Sequence, residues 1–321
     1  MSIAQITVFG GSGFIGRHIV RLLAQRGLRV RAAVRRPELA DFLKPMGDVG
    51  QVVPVQANLR HAGSVAAAVA GSQAVVNAAG IRFQRGRQRF EAVHDAGSRH
   101  IGEAAARAGV ERVIHVSGLG TEGVPGDSDA GETPFLRSKI AAEKAIRETF
   151  PAATILRPSV VFGPEDAFIN NLAAAARLSP FMPAIGGGHT RFQPVYVGDV
   201  AAAVLACLDR PESAGEVYEL GGPRVYTMRQ IAELVLEKMG RKRPVLDVPF
   251  SLARLIGLVG QFLPNPPLTF DQAVLLEQDS VVRAGTKGFA DLGIEPTAAE
   301  IILPTYLDRF RVGGRYSTHA A

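Results

Sequence analysis

Seven residues near the start of the chain, Gly10-Gly11-Ser12-Gly13-Phe14-Ile15-Gly16, restrict the fold more than any other stretch. They follow a β-branched run at residues 3–9 and open a stretch of helical apolar spacing at residues 15–25. Glycine at position 10 permits a tight turn, at 13 a close backbone approach to a pyrophosphate, and at 16 close packing of helix on strand. The first N–H groups of the helix then meet the phosphates with the positive end of the helix dipole. This spacing in this place predicts a strand–loop–helix unit that cradles a dinucleotide.

The rhythm continues beyond the loop. Short apolar runs at residues 28–34, 52–56, 74–77, 112–117 and 154–157 alternate with Ala-rich helical stretches at 64–70, 90–108 and 135–149. Such alternation predicts an α/β fold: a Rossmann-type, doubly wound parallel sheet with helices on both faces. Past Pro158 the pattern turns mostly helical, at residues 168–178, 199–208, 227–239 and 251–262, with one clear strand at 217–220. Residues 1–160 therefore read as the nucleotide-binding domain and 161–321 as a smaller, mostly helical cap, with a segment near 190–222 rejoining the sheet. Residues 313–321 carry no pattern and are expected to fray.

Composition closes off several classes. One cysteine, Cys207, excludes a disulfide framework and any cysteine-based zinc site, and its apolar surroundings predict a buried helical thiol. No charged-then-apolar leader precedes the first strand, so no secretory signal is expected. No apolar run nears the roughly 20 residues of a membrane-spanning helix. The seven histidines show no paired metal-ligand spacing, and no metal is expected. Within residues 1–100, 14 Lys or Arg oppose 5 Asp or Glu, and 13 of those cations are Arg, whose fork suits phosphate. No basic helix with interleaved aromatics accompanies them, so nucleic acid is not the expected partner.

The end of the second strand selects the cofactor. NAD-binding domains usually place an Asp or Glu there to hold the adenosine ribose. Here the run is Val30-Arg31-Ala32-Ala33-Val34-Arg35-Arg36, with no acid. Arg35 and Arg36 would instead hold a 2′-phosphate, at roughly 1.5–3 kcal/mol for each charge-assisted hydrogen bond. NADPH is accordingly expected over NADH. Asn58 is placed to meet the adenine edge, and Asn77-Ala78-Ala79-Gly80 to let the cofactor pass close to the backbone.

These residues resemble the short-chain dehydrogenase/reductase superfamily in its extended or atypical branch. Further matches are Ser117, Lys139, the run Arg157-Pro158-Ser159-Val160-Val161-Phe162-Gly163-Pro164, and Val195-Tyr196-Val197-Gly198-Asp199-Val200-Ala201. The resemblance implies that Ser117, Lys139, Pro158, Val160 and Val161 adjoin the cofactor, and gives Asp199 a role in domain docking where position alone reads as a helix N-cap. In that superfamily a Tyr four residues before the Lys exchanges the proton during hydride transfer. Phe135 stands there, and none of the five tyrosines lies in the first 195 residues. A phenyl ring has no exchangeable proton, so Ser117, Phe135 and Lys139 read as a degenerate site with no catalytic residue.

Within the superfamily the chain most resembles the nucleotide-binding accessory subunits of respiratory complex I. The resemblance rests on Asn77–Gly80 followed by Phe90-Glu91-Ala92-Val93-His94, on Arg191-Phe192-Gln193-Pro194, and on Leu263-Pro264-Asn265-Pro266 leading to Asp271-Gln272. It implies a firmly held structural NADPH, other complex I subunits as partners, and a place where the peripheral and membrane arms meet near the quinone site. That location is the cytoplasmic side of a bacterial inner membrane, or the matrix side for a processed organellar chain. Two further readings stay open: an NADP(H)-dependent reductase of quinone or isoprenoid metabolism working through Lys139 alone, and an NADP(H)-sensing regulator. Two surfaces bear on attachment. Residues 250–263 are apolar almost all round and at roughly 20 Å would lie on a membrane or partner, or pack into their own core. Arg82, Arg85, Arg87 and Arg89 form a loop suited to acidic lipid headgroups, to an acidic partner, or to solvent.

Overall fold

The computed structural model describes residues 3–121, 133–260, 268–311 and 313–314. Two compact units share the chain, and neither is continuous in sequence. The first comprises Met1–Pro158, Gly198–Leu220 and Ala284–Ile294; the second comprises Ser159–Val197, Gly221–Arg283 and Glu295–Ala321. The sequence predicts a boundary after residue 160 with a segment near 190–222 rejoining the sheet; the chain leaves the first unit after Pro158 and returns to it at Gly198–Leu220 and again at Ala284–Ile294. The first return is imposed by Val217–Leu220, a strand whose hydrogen-bonding partner is the edge of the first unit's sheet.

That sheet has seven strands: β1 (Gln5–Phe9), β2 (Arg29–Val34), β3 (Val52–Gln56), β4 (Ala74–Asn77), β5 (Arg112–Val116), β6 (Thr154–Pro158) and β7 (Val217–Leu220). Their order is β7-β6-β5-β4-β1-β2-β3, and every neighbouring pair is parallel. Helices α1 (Phe14–Gln25), α2 (Ala62–Val69), α3 (Ala96–Arg107), α4 (Pro134–Thr149) and α6 (Val197–Asp209) connect or flank the strands. On one face Phe9, Val75, Val113 and Ile155 pack with Val65, Val69, Ile101, Ala104 and Ile146 of α2, α3 and α4. Ile6 and Val8, on the alternate positions of β1, are fully buried on the other face. Burial on both faces is why these strands read as unbroken apolar runs rather than alternating ones.

Arg157 and Glu143 form a buried charged pair inside this unit. Arg157 of β6 donates through Nε to Glu143 Oε1 (3.0 Å) and through Nη2 to Oε2 (2.7 Å), and Thr121 Oγ1 donates to the same carboxylate at 2.5 Å. Burial alone would raise the Glu143 carboxyl, but the Arg157 hydrogen bonds and charge outweigh it and hold it below the ordinary carboxylate value. The fork therefore clamps α4 to β6 beneath the loops.

The second unit holds α5 (Phe168–Leu178), α7 (Met228–Lys238), α8 (Phe250–Gly260), α9 (Phe270–Leu275) and α10 (Ala299–Leu307). Its core includes Phe162, Ile169, Leu172, Met182, Ile231, Val235, Leu303 and Leu307. Past residue 158 the sequence shows one strand, yet Met182–Ile185 and Val245–Val248 also pair in parallel. Four-residue runs containing Pro183 or following Pro244 read as loops, and only the partner strand makes them extended. Asp199 is no N-cap: α6 starts two residues earlier and carries Asp199 buried in its first turn. Cys207 is fully buried in α6, and burial pushes its thiol up to about 11. Of the expected apolar segment 250–263, residues 261–263 lie outside the described residues, as do 264–267 and 315–321. The buried face of α8 is narrow: Ala253, Gly257 and Gly260, with a Cβ on Gly257 falling 2.7 Å from Thr269 O. Leu255, Ile256, Leu258 and Val259 stay 47–65% exposed, which overturns the alternative of full burial in the unit's own core.

Removing one partner of the buried pair tests the clamp. Arg157→Met removes the two-pronged partner of the buried Glu143 carboxylate, leaving it the Thr121 hydroxyl and a longer contact to Arg147 (3.9 Å), and is expected to cost about 3 kcal/mol in urea unfolding. The double variant Arg157→Met/Glu143→Leu should recover most of that loss.

Candidate functional site

Strands β1 and β4 are neighbours although β2 and β3 intervene in sequence, so the chain order reverses between them. In open parallel sheets, ligands bind outside the carboxyl ends of strands at such a reversal. The two loops that leave these strands touch there. Gly10 has φ +75°, and a Cβ on it would lie 2.8 Å from Ala78 O and from Ala79. A Cβ on Gly16 would come within 2.1 Å of Gly10 O, so α1 can start this close to β1 only with glycine at that position.

Helix α1 starts at Phe14 after Gly13, with no side-chain cap and no acidic residue in its first turn. The first-turn N–H groups of Phe14, Ile15 and Gly16 therefore have no intrahelical partner. Gly13 is exposed and Ser12 half-buried. Arg17 reaches back, donating through Nη2 to Ser12 O (3.1 Å) and through Nε to Gly13 O (3.3 Å), which sets a cation on the loop. Gly11 packs on β2, where a Cβ would sit 2.9 Å from that of Ala32. Uncapped N–H donors, an added cation and the absence of side-chain bulk together fit a pyrophosphate.

Arg35 and Arg36 are exposed just past the end of β2; the first acid, Glu38, comes in the turn Pro37–Leu39. Past β3, Asn58 Oδ1 accepts from Arg60 N–H (3.2 Å) and its own N–H donates to Ser64 Oγ (3.0 Å). These bonds shape the turn into α2 and leave the Asn58 amide nitrogen as the group that could meet a base. Past β4, Asn77 is fully committed. Oδ1 accepts from Ala79 N–H (3.2 Å), and Nδ2 donates to His115 Nδ1 (3.0 Å) and weakly to Ser98 Oγ (3.3 Å). Ala78 and Ala79 are half-buried and Gly80 exposed.

At the end of β5, Ser117 is buried beside Glu143; its N–H donates to Leu156 O at 2.7 Å, while its hydroxyl makes no well-formed hydrogen bond. Lys139 Nζ donates to Val116 O at 3.3 Å, and burial pushes the amine down to about 8 against the pull of Glu143. Phe135, one turn earlier, meets the rings of Phe90 (5.6 Å) and His94 (5.8 Å) edge-on. No proton-exchanging group stands at that position. Pro158 ends β6 in the first unit, and Leu119 N–H donates to its carbonyl at 3.0 Å. Val160 and Val161 belong to the second unit.

Beneath this surface lie Ser138 and Glu143, which sequence reasoning did not single out, and His94 and Arg157, which it marked only as motif residues. The helical stretch expected from residue 90 begins as a π-turn, Glu91–Asp95, before α3, and that wider turn carries His94. His115 is buried in β5 with a partner on Nδ1 and none on Nε2. Glu143 was signalled by its spacing, four residues after Lys139 on one helix face.

With this geometry in view, the family follows. Residues 6–221 match the profile of the NAD dependent epimerase/dehydratase family, and the chain belongs to that family. It is 36% identical over 324 residues to NADH dehydrogenase [ubiquinone] 1 alpha subcomplex subunit 9, mitochondrial, of Arabidopsis thaliana, covering 96% of this chain and 78% of that one. It is 33% identical over 311 residues to the mitochondrial NADH-ubiquinone oxidoreductase 40 kDa subunit of Neurospora crassa, covering 97% and 80%. Within the larger family the chain is a member of the group formed by these subunits. The dTDP-glucose 4,6-dehydratase DesIV double mutant of Streptomyces venezuelae, solved with NAD and DAU bound, has the same fold (TM-score 0.70, 20% identity, 94% and 95% covered).

The two buried imidazoles make stability depend on pH. Burial, reinforced by the Lys139 charge, pushes His94 and His115 down to about 3 from an ordinary 6.5. Between those values the unfolded chain binds protons that the folded one does not. Stability is therefore full above about pH 6.5 and falls as pH drops toward 3, by about 1.4 kcal/mol per pH unit for each histidine. Urea unfolding of nucleotide-free protein between about pH 6 and 4 should show His115→Gln shallower than wild type by that slope.

Proposed function

We propose that the protein holds NADP(H) without turning it over and serves as an accessory subunit of respiratory complex I, at the junction of its peripheral and membrane arms near the quinone site. The observation that carries this reading is Phe135. A loop that fits a dinucleotide is joined to a reaction position whose proton donor is a phenyl ring packed against Phe90 and His94. Such a site binds without completing hydride transfer. The names of the relatives supply the assembly.

Gly10, Gly11, Ser12, Gly13, Phe14, Ile15 and Gly16 would take the pyrophosphate, and Arg35 and Arg36 the 2′-phosphate. Asn58 would take the adenine edge. Ala78, Ala79, Gly80, Ser117, Lys139 and Pro158 would flank the rest. The nucleotide's contribution is then stabilisation of the native state by mass action. NADP(H) is favoured over NAD(H) because the strand that would carry a ribose-binding acid ends in two exposed arginines.

Attachment is peripheral, on the membrane face that the peripheral arm occupies. No helix among the described residues is long and apolar enough to cross a membrane. Arg82, Arg85, Arg87 and Arg89 are displayed on a tight hairpin closed by Arg85 N–H to Gln88 O (3.0 Å) and Gln88 N–H to Arg85 O (2.9 Å), a form suited to anionic headgroups. The exposed side of α8 supplies an apolar surface for a partner or the membrane interface. A second reading, reduction of a carbonyl or quinone substrate with Lys139 as the proton donor, is favoured by the Lys139 amine at about 8.

The test is native electrophoresis of source membranes in mild detergent, probed for this chain. Co-migration with NADH–quinone reductase activity is expected. Migration as a free 34.1 kDa chain, with NADPH consumed on a quinone, would transfer the function to the Lys139 reductase.

A further inference from the structure

We infer that His94 is a positioning residue of the nucleotide site, a neutral imidazole that fastens the loop after β4 to the turn of α4 carrying Lys139. The inference rests on the reading of the first unit as a dinucleotide holder. Three hydrogen bonds define it. Ile81 N–H donates to His94 Nε2 at 3.0 Å, His94 Nδ1 pairs with Ser138 Oγ at 2.8 Å, and Ser138 Oγ donates to Phe135 O at 2.6 Å.

The proton positions in this chain follow from its two ends. A backbone N–H can only donate, so Nε2 must accept. The proton of a neutral imidazole then sits on Nδ1 and goes to Ser138, whose own hydroxyl proton goes to the Phe135 carbonyl. Every donor and acceptor along the line is used once. A second proton on the ring would remove the acceptor that Ile81 requires and would set a cation near Lys139. Burial and the Lys139 charge oppose that, holding the imidazole down to about 3.

Ring packing alone does not account for the residue. His94 is 3% exposed and stacks on Phe90 at 5.5 Å, which a phenyl ring would do as well. Its two nitrogens instead reach separate segments. One holds residue 81, directly after the small residues 78–80, and a Cβ on Gly80 would lie 3.5 Å from Nε2. The other holds Ser138, the residue before Lys139. The π-turn Glu91–Asp95 carries the ring between them. The relay thus sets the spacing between two segments that would grip the dinucleotide away from its adenosine end, which lies by β2.

His94→Phe tests this, because it keeps an aromatic ring stacked on Phe90 and deletes both polar bonds. Release of NADPH, followed by loss of nicotinamide fluorescence during a chase with excess NADP⁺, should quicken by about tenfold. Binding of 2′,5′-ADP, which has the adenosine and 2′-phosphate but no nicotinamide, should stay within about twofold of wild type. His94→Gln offers both a donor and an acceptor and should recover much of the slow release, whereas Ser138→Ala should mimic His94→Phe. Equal weakening of NADPH and 2′,5′-ADP, or unchanged NADPH release in His94→Phe, would overturn the positioning role. Wild-type protein that binds neither compound would overturn the dinucleotide reading itself.

Discussion

The site depends on a contact that only missing side chains allow. Helix α1 can begin directly after β1 because Gly16 places bare backbone against Gly10 O, where a Cβ would come within 2.1 Å. Gly10 in turn lies against Ala78 and Ala79, so the loops after β1 and β4 close on each other where the strand order reverses. Side chains at these positions would hold the loops apart and fill the space a pyrophosphate needs. The sheet beneath supplies the rigidity: parallel strands buried on both faces hold their loop ends in fixed register.

Under the loops most of the buried polar groups are already committed to one another. Glu143 is spent on Arg157 and Thr121, Asn77 on Ala79 and His115, and His94 on Ile81 and Ser138. Lys139 is the ionisable group of this cluster not tied into a strong pair, and burial brings its amine toward the neutral range. Beside it stands the Phe135 ring rather than a hydroxyl. This arrangement stiffens the cradle through satisfied buried bonds, while the step that would finish a hydride transfer has one candidate donor, Lys139.

The sheet and the phosphate loop were legible because both rest on local pattern. Apolar runs of four to seven residues mark β1 to β7, and glycine spacing marks the loop. What escaped depends on contacts between distant residues. Met182–Ile185 and Val245–Val248 become strands through each other, and the second return to the first unit, at Ala284–Ile294, follows no strand or helix pattern in the sequence. Arg157 is visible in sequence as a motif residue, but its pairing with Glu143 appears only when β6 lies under α4. His94 could be dismissed as lacking metal-ligand spacing, because its role comes from bonds to residues 81 and 138. Apolar residues all round α8 suggested burial as readily as exposure, and the small residues Ala253, Gly257 and Gly260 turned out to choose the packed face.

The most direct measurement is the identity and amount of nucleotide released when the purified, never-supplemented protein is denatured. A protein built to retain a structural cofactor should give up close to one NADP(H) per chain. Release of NAD(H) would contradict the role assigned to Arg35 and Arg36, and a chain that releases no nucleotide would contradict the holding function as a whole.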